Sequence, residues 1–168
     1  VATFFVPLAT WKERCDVLAG RLGPRVTAYF IHKDIYFDRP ELYRTSRGDY
    51  PDNAERFIFF SRAVPELSRV LGFAPDIVHC NDWQTGLVPL YLKKFYHGDA
   101  LLGKARSVFT IHNLGYQGIF RQEDLRLTGL TVRASGTGDD RAEVLAVRLW
   151  WDRDVPSDQA WERRGEIK

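Results

Sequence analysis

Two short clusters hold the side chains of this sequence that are best suited to chemistry. The first is residues 79–86, His-Cys-Asn-Asp-Trp-Gln-Thr-Gly, and the second is residues 112–118, His-Asn-Leu-Gly-Tyr-Gln-Gly. Carboxylate, amide and imidazole groups exchange hydrogen bonds with hydroxyls, while indole and phenol rings offer flat apolar faces. This combination is typical of a site that binds a sugar ring, with polar groups at its rim and aromatic groups against its faces.

Each of these residues also has a structural interpretation. Asp82 or Asn81 can cap a following helix, and Trp83 and Tyr116 can serve as packing residues. A metal site is disfavoured, because the spacing of the histidines, cysteine and aspartate matches no zinc-binding pattern. The sequence also lacks the glycine-rich phosphate-binding motifs and the G-x-S-x-G nucleophile motif.

The elements around the clusters predict an α/β fold with a mainly parallel sheet. Residues 77–80 are a short apolar run that indicates a buried strand. Residues 106–111 indicate the following strand, and residues 83–95 between the two indicate a helix. A strand, a helix and a second strand form a βαβ unit with a right-handed crossover. Because ligands bind at the carboxyl ends of parallel strands, we expect both clusters at one edge of the sheet.

A longer helix is predicted after residue 51. Asp52 and Glu55 form a pattern that resembles a capping box, and Pro65 is expected to kink the helix or split it in two. The apolar residues recur with helical spacing at Phe57, Phe60, Val64, Leu67 and Leu71.

The N-terminal part is less regular. A short first strand is expected to end at Pro7, and residues 26–31 indicate a second strand. Residues 32–51 are expected to form a long irregular loop of the kind that is functional or mobile.

Composition excludes several classes of function. The chain has 168 residues with 24 Lys and Arg, 22 Asp and Glu and a net charge of +2, which gives no argument for a nucleic-acid or membrane partner. No apolar run is long enough to span a membrane, and no signal peptide is visible. Cys15 and Cys80 make no disulfide framework and suit a reducing compartment. The absence of methionine suggests that the natural start is missing.

Four ordered motifs make the sequence resemble the N-terminal domain of the bacterial glycogen synthase and plant starch synthase family. Many members of this family have a second histidine where this chain has Asn81, and the resemblance covers about residues 1–125. The motifs are residues 38–43 (DRPELY), 48–57 (GDYPDNAERF), 75–86 (PDIVHCNDWQTG) and 109–118 (FTIHNLGYQG).

The resemblance implies half of a retaining GT-B glycosyltransferase, in which two Rossmann-like domains face each other across a cleft. Such enzymes transfer glucose from ADP-glucose to the non-reducing end of an α-1,4-glucan. No cofactor and no metal ion is expected. The implied partners are the α-glucan acceptor and the nucleotide-sugar donor, and the implied location is the cytoplasm, or the plastid for a plant protein.

The resemblance also implies roles for particular residues. His112 and Asp82 would be catalytic, with His112 against the transferred glucosyl unit, where it would stabilise positive charge at the anomeric carbon. Asp82 and Asn113 would hold sugar hydroxyls. The substrate-binding residues would be Tyr43, Trp83, Asn113, Tyr116 and Gln117.

The sequence departs from the family pattern in three ways. The family's Lys-x-Gly-Gly-Leu loop is absent, so the first strand is expected to be missing. The second domain, which would hold the donor phosphates and pack against this one, is absent too. Residues 1–130 are therefore expected to form a partial catalytic domain, and residues 131–168 an atypical tail that is disordered or read in a shifted frame.

Three hypotheses follow from the sequence. The first is a fragment of an ADP-glucose-dependent α-glucan synthase that is inactive alone. The second is a non-catalytic carbohydrate-binding remnant of the same fold. The third is an unrelated α/β interaction domain in which the residues at the strand ends only cap and pack.

Overall fold

The computed structural model describes residues 1–131, so the predicted tail lies almost entirely outside the described residues. The strands are β1 (Ala2–Leu8), β2 (Trp11–Gly23), β3 (Val26–His32), β4 (Arg44–Thr45), β5 (Gly48–Asp49), β6 (Ile77–Asn81) and β7 (Arg106–Thr110). The helices are α1 (Asp34–Phe37), α2 (Asn53–Val70) and α3 (Val88–Phe95), and 3₁₀ turns occupy Trp83–Thr85 and Gln122–Thr128. Within the described part of the chain, no helix is long and apolar enough to cross a membrane.

The first three strands form an antiparallel sheet in the order β1-β2-β3. Side chains alternate across it, so one face is buried and contributes to the core that also contains residues of α2 and α3. The buried residues of β1 and β2 are Phe4, Val6, Leu8, Cys15 and Val17. The prediction of a mainly parallel sheet is therefore wrong for this part of the chain.

For the N-terminal residues, one further prediction is wrong and one strand was not predicted. Strand β1 continues through Pro7 to Leu8, because β1 is an edge strand and tolerates a residue that cannot donate a backbone hydrogen bond. The long strand β2 was not expected, because charged residues alternate with its buried ones and obscure the apolar pattern. Those charged residues are Lys12, Glu13, Arg14 and Asp16.

Helix α2 runs unbroken through the buried Pro65, so of the two expected outcomes, a kink or a split, the split into two helices is wrong. A proline removes one helical hydrogen bond, and the burial of neighbouring side chains keeps the helix together here. Of the predicted apolar face, Leu67 is buried and Phe57 is half-buried, whereas Ile58, which was not in that pattern, is fully buried.

The side chains predicted to cap α2 have other partners. The carboxylate of Asp52 makes no capping hydrogen bond and pairs with Arg39, whose Nη2 lies 2.6 Å from Oδ2. The carboxylate of Glu55 accepts a hydrogen bond from the hydroxyl of Tyr36. Both carboxylates therefore hold the segment of residues 32–51 against the start of α2.

Arg56 fixes the segment of residues 32–51 through the hydrogen bonds of its guanidinium group. The residue is only 2% exposed, and its guanidinium donates to the carbonyl of Tyr36 at 2.6 Å, to that of Leu42 at 2.9 Å and to Asn53 Oδ1 at 2.6 Å. Burial lowers the pKa of Arg56 from its usual value. Asn53 in turn donates to the carbonyl of Tyr43 at 2.7 Å. The segment predicted to be an irregular loop is thus fixed against α2, and it contains α1 and the β4–β5 hairpin.

The predicted βαβ unit is present, but two of its details are wrong. The strand at residues 77–80 is largely exposed rather than buried, with Ile77 61% exposed, and the helix begins at Val88 after a separate 3₁₀ turn rather than at Trp83. Strands β6 and β7 are parallel, and their register runs from Ile77 opposite Arg106 to Asn81 opposite Thr110. Helix α3 lies between them in the chain and packs against α2 and β6. The described residues therefore form a mixed α/β structure with one parallel pair of strands beside the antiparallel sheet.

Replacing Arg56 with lysine should lower the free energy of unfolding by about 3 kcal/mol, because one ammonium group cannot satisfy three fixed acceptors. Urea unfolding measures the change. The matched control is Arg69→Lys, since Arg69 is half-exposed and pairs with Glu66 and Asp99 at 3.0 Å. That substitution should cost less than about 1 kcal/mol. Equal losses would contradict the anchoring role of Arg56.

Candidate functional site

The carboxyl ends of β6 and β7 bring the two polar clusters together. His112 Nε2 lies 2.9 Å from Asn81 Oδ1, and the backbone N–H of His112 donates to Asp82 Oδ1 at 2.7 Å. These contacts follow from the parallel register, because it sets Asn81 beside Thr110 and so aligns the residues that come after each strand. The prediction that both clusters share one edge of the sheet is confirmed.

Asp82 has an unusual backbone conformation. Its φ is 55° and its ψ is −179°, a combination that residues with a side chain rarely adopt. Its N–H donates to the carbonyl of Thr110 at 2.9 Å, and its carboxylate accepts from the N–H groups of His112 and, at 3.4 Å, Asn113. One residue thus joins β6 to the segment after β7. The roles of Asp82 in catalysis and in holding sugar hydroxyls stay predictions.

Trp83 lies inside an aromatic cluster. The residue is 7% exposed, and its ring centroid lies 4.7 Å from that of Phe57, 5.5 Å from that of Phe120 and 5.9 Å from that of Tyr43. These contacts join α2, the segment of residues 32–51 and the residues after β7. Packing is therefore the role that the contacts of Trp83 show, and its role in binding a sugar stays a prediction.

The two tyrosines predicted to bind substrate lie together at the outer side of this cluster. The rings of Tyr43 and Tyr116 are 5.3 Å apart and both residues are half-buried, so part of each remains open to a ligand. Arg44 Nη1 donates to the hydroxyl of Tyr116. Arg44 falls in the gap between two of the motifs, so no sequence signal indicated it.

A glycine is needed at position 118, because the indole ring of Trp83 lies where a side chain would be. Its φ is +62°, and a Cβ atom added to it would lie 2.4 Å from Cε3 of Trp83. The missing side chain of this glycine therefore makes room for the indole ring.

Asn113 and Gln117 are partly engaged with nearby backbone. Asn113 Oδ1 accepts from the N–H of Gly115 at 2.9 Å, and Gln117 Nε2 donates to the carbonyl of Leu114 at 3.0 Å. Both contacts shape the turn after β7. Their roles toward a substrate stay predictions.

The remaining polar residues of β6 do not form a metal centre. His79 Nε2 lies 2.8 Å from Thr110 Oγ1, and burial raises the pKa of the Cys80 thiol to about 11. A thiol with so high a pKa is a poor metal ligand and a poor nucleophile. Within residues 1–131, no group of three His, Cys, Asp or Glu side chains could hold a metal ion.

Comparison with known proteins gives consistent matches. Residues 1–144 match the family described as the starch synthase catalytic domain, which extends past the boundary expected at residue 130. The chain is 49% identical over 127 residues to glycogen synthase from Elusimicrobium minutum, a match that covers 76% of this chain and 26% of that protein. It is 54% identical over 101 residues to glycogen synthase from Thermodesulfovibrio yellowstonii, which covers 60% of this chain and 20% of that protein.

A solved structure matches as well. The catalytic domain of starch synthase IV from Arabidopsis thaliana, bound to ADP and acarbose, aligns with a TM-score of 0.66 and 33% identity. The alignment covers 77% of this chain and 26% of that chain. This chain thus spans about a quarter of the length of the proteins it matches.

Replacing Gly118 with alanine should destabilise the protein more than the same change at Gly72. Both glycines have nearly the same φ, +62° and +63°, but nothing lies within 4 Å of a Cβ at Gly72. Gly72→Ala should cost about 1 kcal/mol of backbone strain, and Gly118→Ala about 2 kcal/mol more for the clash with Trp83. Urea unfolding of both variants measures the difference, and equal costs would show that Trp83 does not fill the space beside Gly118.

Asp82→Gly should be more stable than Asp82→Ala by about 1 kcal/mol, because both lose the carboxylate but only glycine is relieved of the strained φ. Asp49 supplies the control, since it is an exposed residue of β5 without a positive φ. There the order should reverse, with alanine more stable by about 0.5 kcal/mol. Thermal or urea unfolding gives both orders, and a less stable glycine variant at position 82 would contradict the strain.

Proposed function

Because the chain belongs to the starch synthase catalytic domain family, we propose that it is part of a glucosyltransferase that extends an α-glucan. The finer proposal is a retaining enzyme of the GT-B type, in which this chain forms a Rossmann-like half. Its donor is ADP-glucose and its acceptor is the non-reducing end of an α-1,4-glucan. The presence of ADP in the related Arabidopsis structure supports an adenosine donor over a uridine one.

The observation that carries this proposal is the position of His112 at the joined ends of β6 and β7. The residue is exposed, yet its backbone N–H is fixed by Asp82 and its ring lies against Asn81. A polar group that is already in place when the substrate binds stabilises developing charge without a cost of reorganisation. His112 is thus suited to lie against a glucosyl unit whose anomeric carbon becomes positive.

The neighbouring residues suit the binding of a sugar. Asn113 follows His112 directly, and the half-buried rings of Tyr43 and Tyr116 border the same region through the aromatic cluster. Partly exposed aromatic rings bury the apolar faces of a sugar while amides satisfy its hydroxyls. The chain presents one side of such a site, and we propose that it does not transfer glucose by itself.

Titration of the labelled 168-residue chain with maltotetraose and with ADP-glucose tests this proposal by NMR. Amide shifts should change at residues 81–86 and 112–118, and no label should pass from ADP-[¹⁴C]glucose to glycogen. His112→Ala should weaken binding about 3–10-fold, the value of one hydrogen bond. His97→Ala, at an exposed residue outside both clusters, should leave binding unchanged.

Three results would contradict the proposal. Amide shift changes confined to residues outside 81–86 and 112–118 would show that the binding site lies elsewhere. Glucosyl transfer by the purified chain would refute its proposed inactivity. Binding of maltotetraose that His112→Ala does not weaken would contradict the place of His112 against the sugar.

A further inference from the structure

We propose that Asn81 is a positioning residue that fixes the ring orientation and the tautomer of His112. This inference rests on the proposed function, which puts His112 against the transferred sugar. Asn81 is the last residue of β6, and its Oδ1 lies 2.9 Å from His112 Nε2. Both residues are exposed, so burial does not hold the imidazole in place and this contact is what orients it.

The imidazoles on this face of the parallel pair have separate partners. His79 and Asn81 lie on the same face of β6, because residues two apart in a strand share a face. His79 Nε2 is taken by Thr110 Oγ1 at 2.8 Å. Because Thr110 already pairs with His79, Asn81 is the residue on this face that pairs with His112. Within residues 1–131, Nδ1 of His112 has no hydrogen-bond partner.

The backbone of Asp82 allows two consecutive residues to hold His112. Neighbouring residues of a regular strand point to opposite faces, so side chains 81 and 82 would ordinarily diverge. The positive φ at Asp82 interrupts this alternation. As a result, Asn81 contacts the ring of His112 while Asp82 accepts from its backbone N–H at 2.7 Å. The strained conformation thereby brings two contacts to one residue.

The contact fixes which nitrogen of His112 carries the proton. With the carboxamide oxygen facing it, Nε2 carries hydrogen, and in the neutral ring Nδ1 is left as an acceptor. An oxygen in this place suits both the neutral and the protonated ring, whereas an NH₂ group would require a bare Nε2. His112 therefore presents an acceptor to a sugar hydroxyl.

Two-bond ¹H–¹⁵N correlation spectra of the labelled 168-residue chain, recorded at alkaline pH, report the tautomer of each neutral imidazole. We expect only the Nε2–H form for His112 in the natural chain. Asn81→Leu, which keeps the size but removes the acceptor, should introduce a fraction of the Nδ1–H form, so that the two ¹⁵N shifts approach each other. Asn81→Asp, which keeps an acceptor oxygen, should show only the Nε2–H form, as the natural chain does.

The matched control is Thr110→Val, which removes the hydroxyl beside His79. It should change the ¹⁵N pattern of His79 and leave that of His112 unchanged. Asn81→Ala provides a second variant without the acceptor if the leucine variant does not fold. Maltotetraose affinity should fall about 3–10-fold in Asn81→Leu and stay within about 2-fold in Asn81→Asp.

An Nδ1–H form of His112 in the natural chain would overturn the proposal, because it would mean that the amide nitrogen faces the ring. An identical ¹⁵N pattern in the natural chain and in both variants without the acceptor would overturn it as well. If the natural chain binds no glucan, the proposed function fails, whereas the tautomer spectra still decide the role of Asn81.

Discussion

The carboxylate of Asp82 links the two halves of the candidate site. It accepts a hydrogen bond from the backbone of His112 at 2.7 Å, across two segments that are distant in sequence. The backbone of Asp82 must adopt a positive φ to do this, at a cost of about 1–3 kcal/mol. Hydrogen bonds to a charged group contribute about 1.5–3 kcal/mol each, so the bonds made by the carboxylate offset the strain. The position of His112 depends on this balance.

The residues around Asp82 stabilise its backbone conformation. Trp83 follows Asp82 directly and is held among Phe57, Phe120 and Tyr43. Arg56 keeps the segment that contains Tyr43 against α2. The packing of the aromatic cluster therefore stabilises the turn at Asp82, and the partly exposed tyrosines extend the site outwards.

The elements that the sequence predicts well are those with a clear local pattern. Strands β6 and β7 are short apolar runs beside a helix, and both are present and parallel, although most of their residues are exposed rather than buried. Strand β2 was missed, because an antiparallel strand with one solvated face carries charged residues at alternate positions. The caps of α2 were misjudged, because Asp52 and Glu55 pair with Arg39 and Tyr36 instead.

The contents of the site could be predicted from residue types, but its contacts could not. The pairing of Asn81 with His112 joins residues 31 positions apart and depends on the strand register. The positive φ of Asp82 leaves no trace in the sequence, since glycine would be the expected residue there. The packing role of Trp83 likewise follows from three separate segments that meet only in the folded chain.

Amide hydrogen exchange of His112 tests the central claim most directly, because its N–H is the group that Asp82 holds. Exchange reports the opening of single hydrogen bonds in the native state. If Asp82 fixes His112, this amide in an exposed residue should exchange much more slowly than an unstructured one, and the protection should vanish in Asp82→Ala. Exchange at the rate of an unstructured peptide in the natural chain would contradict the account.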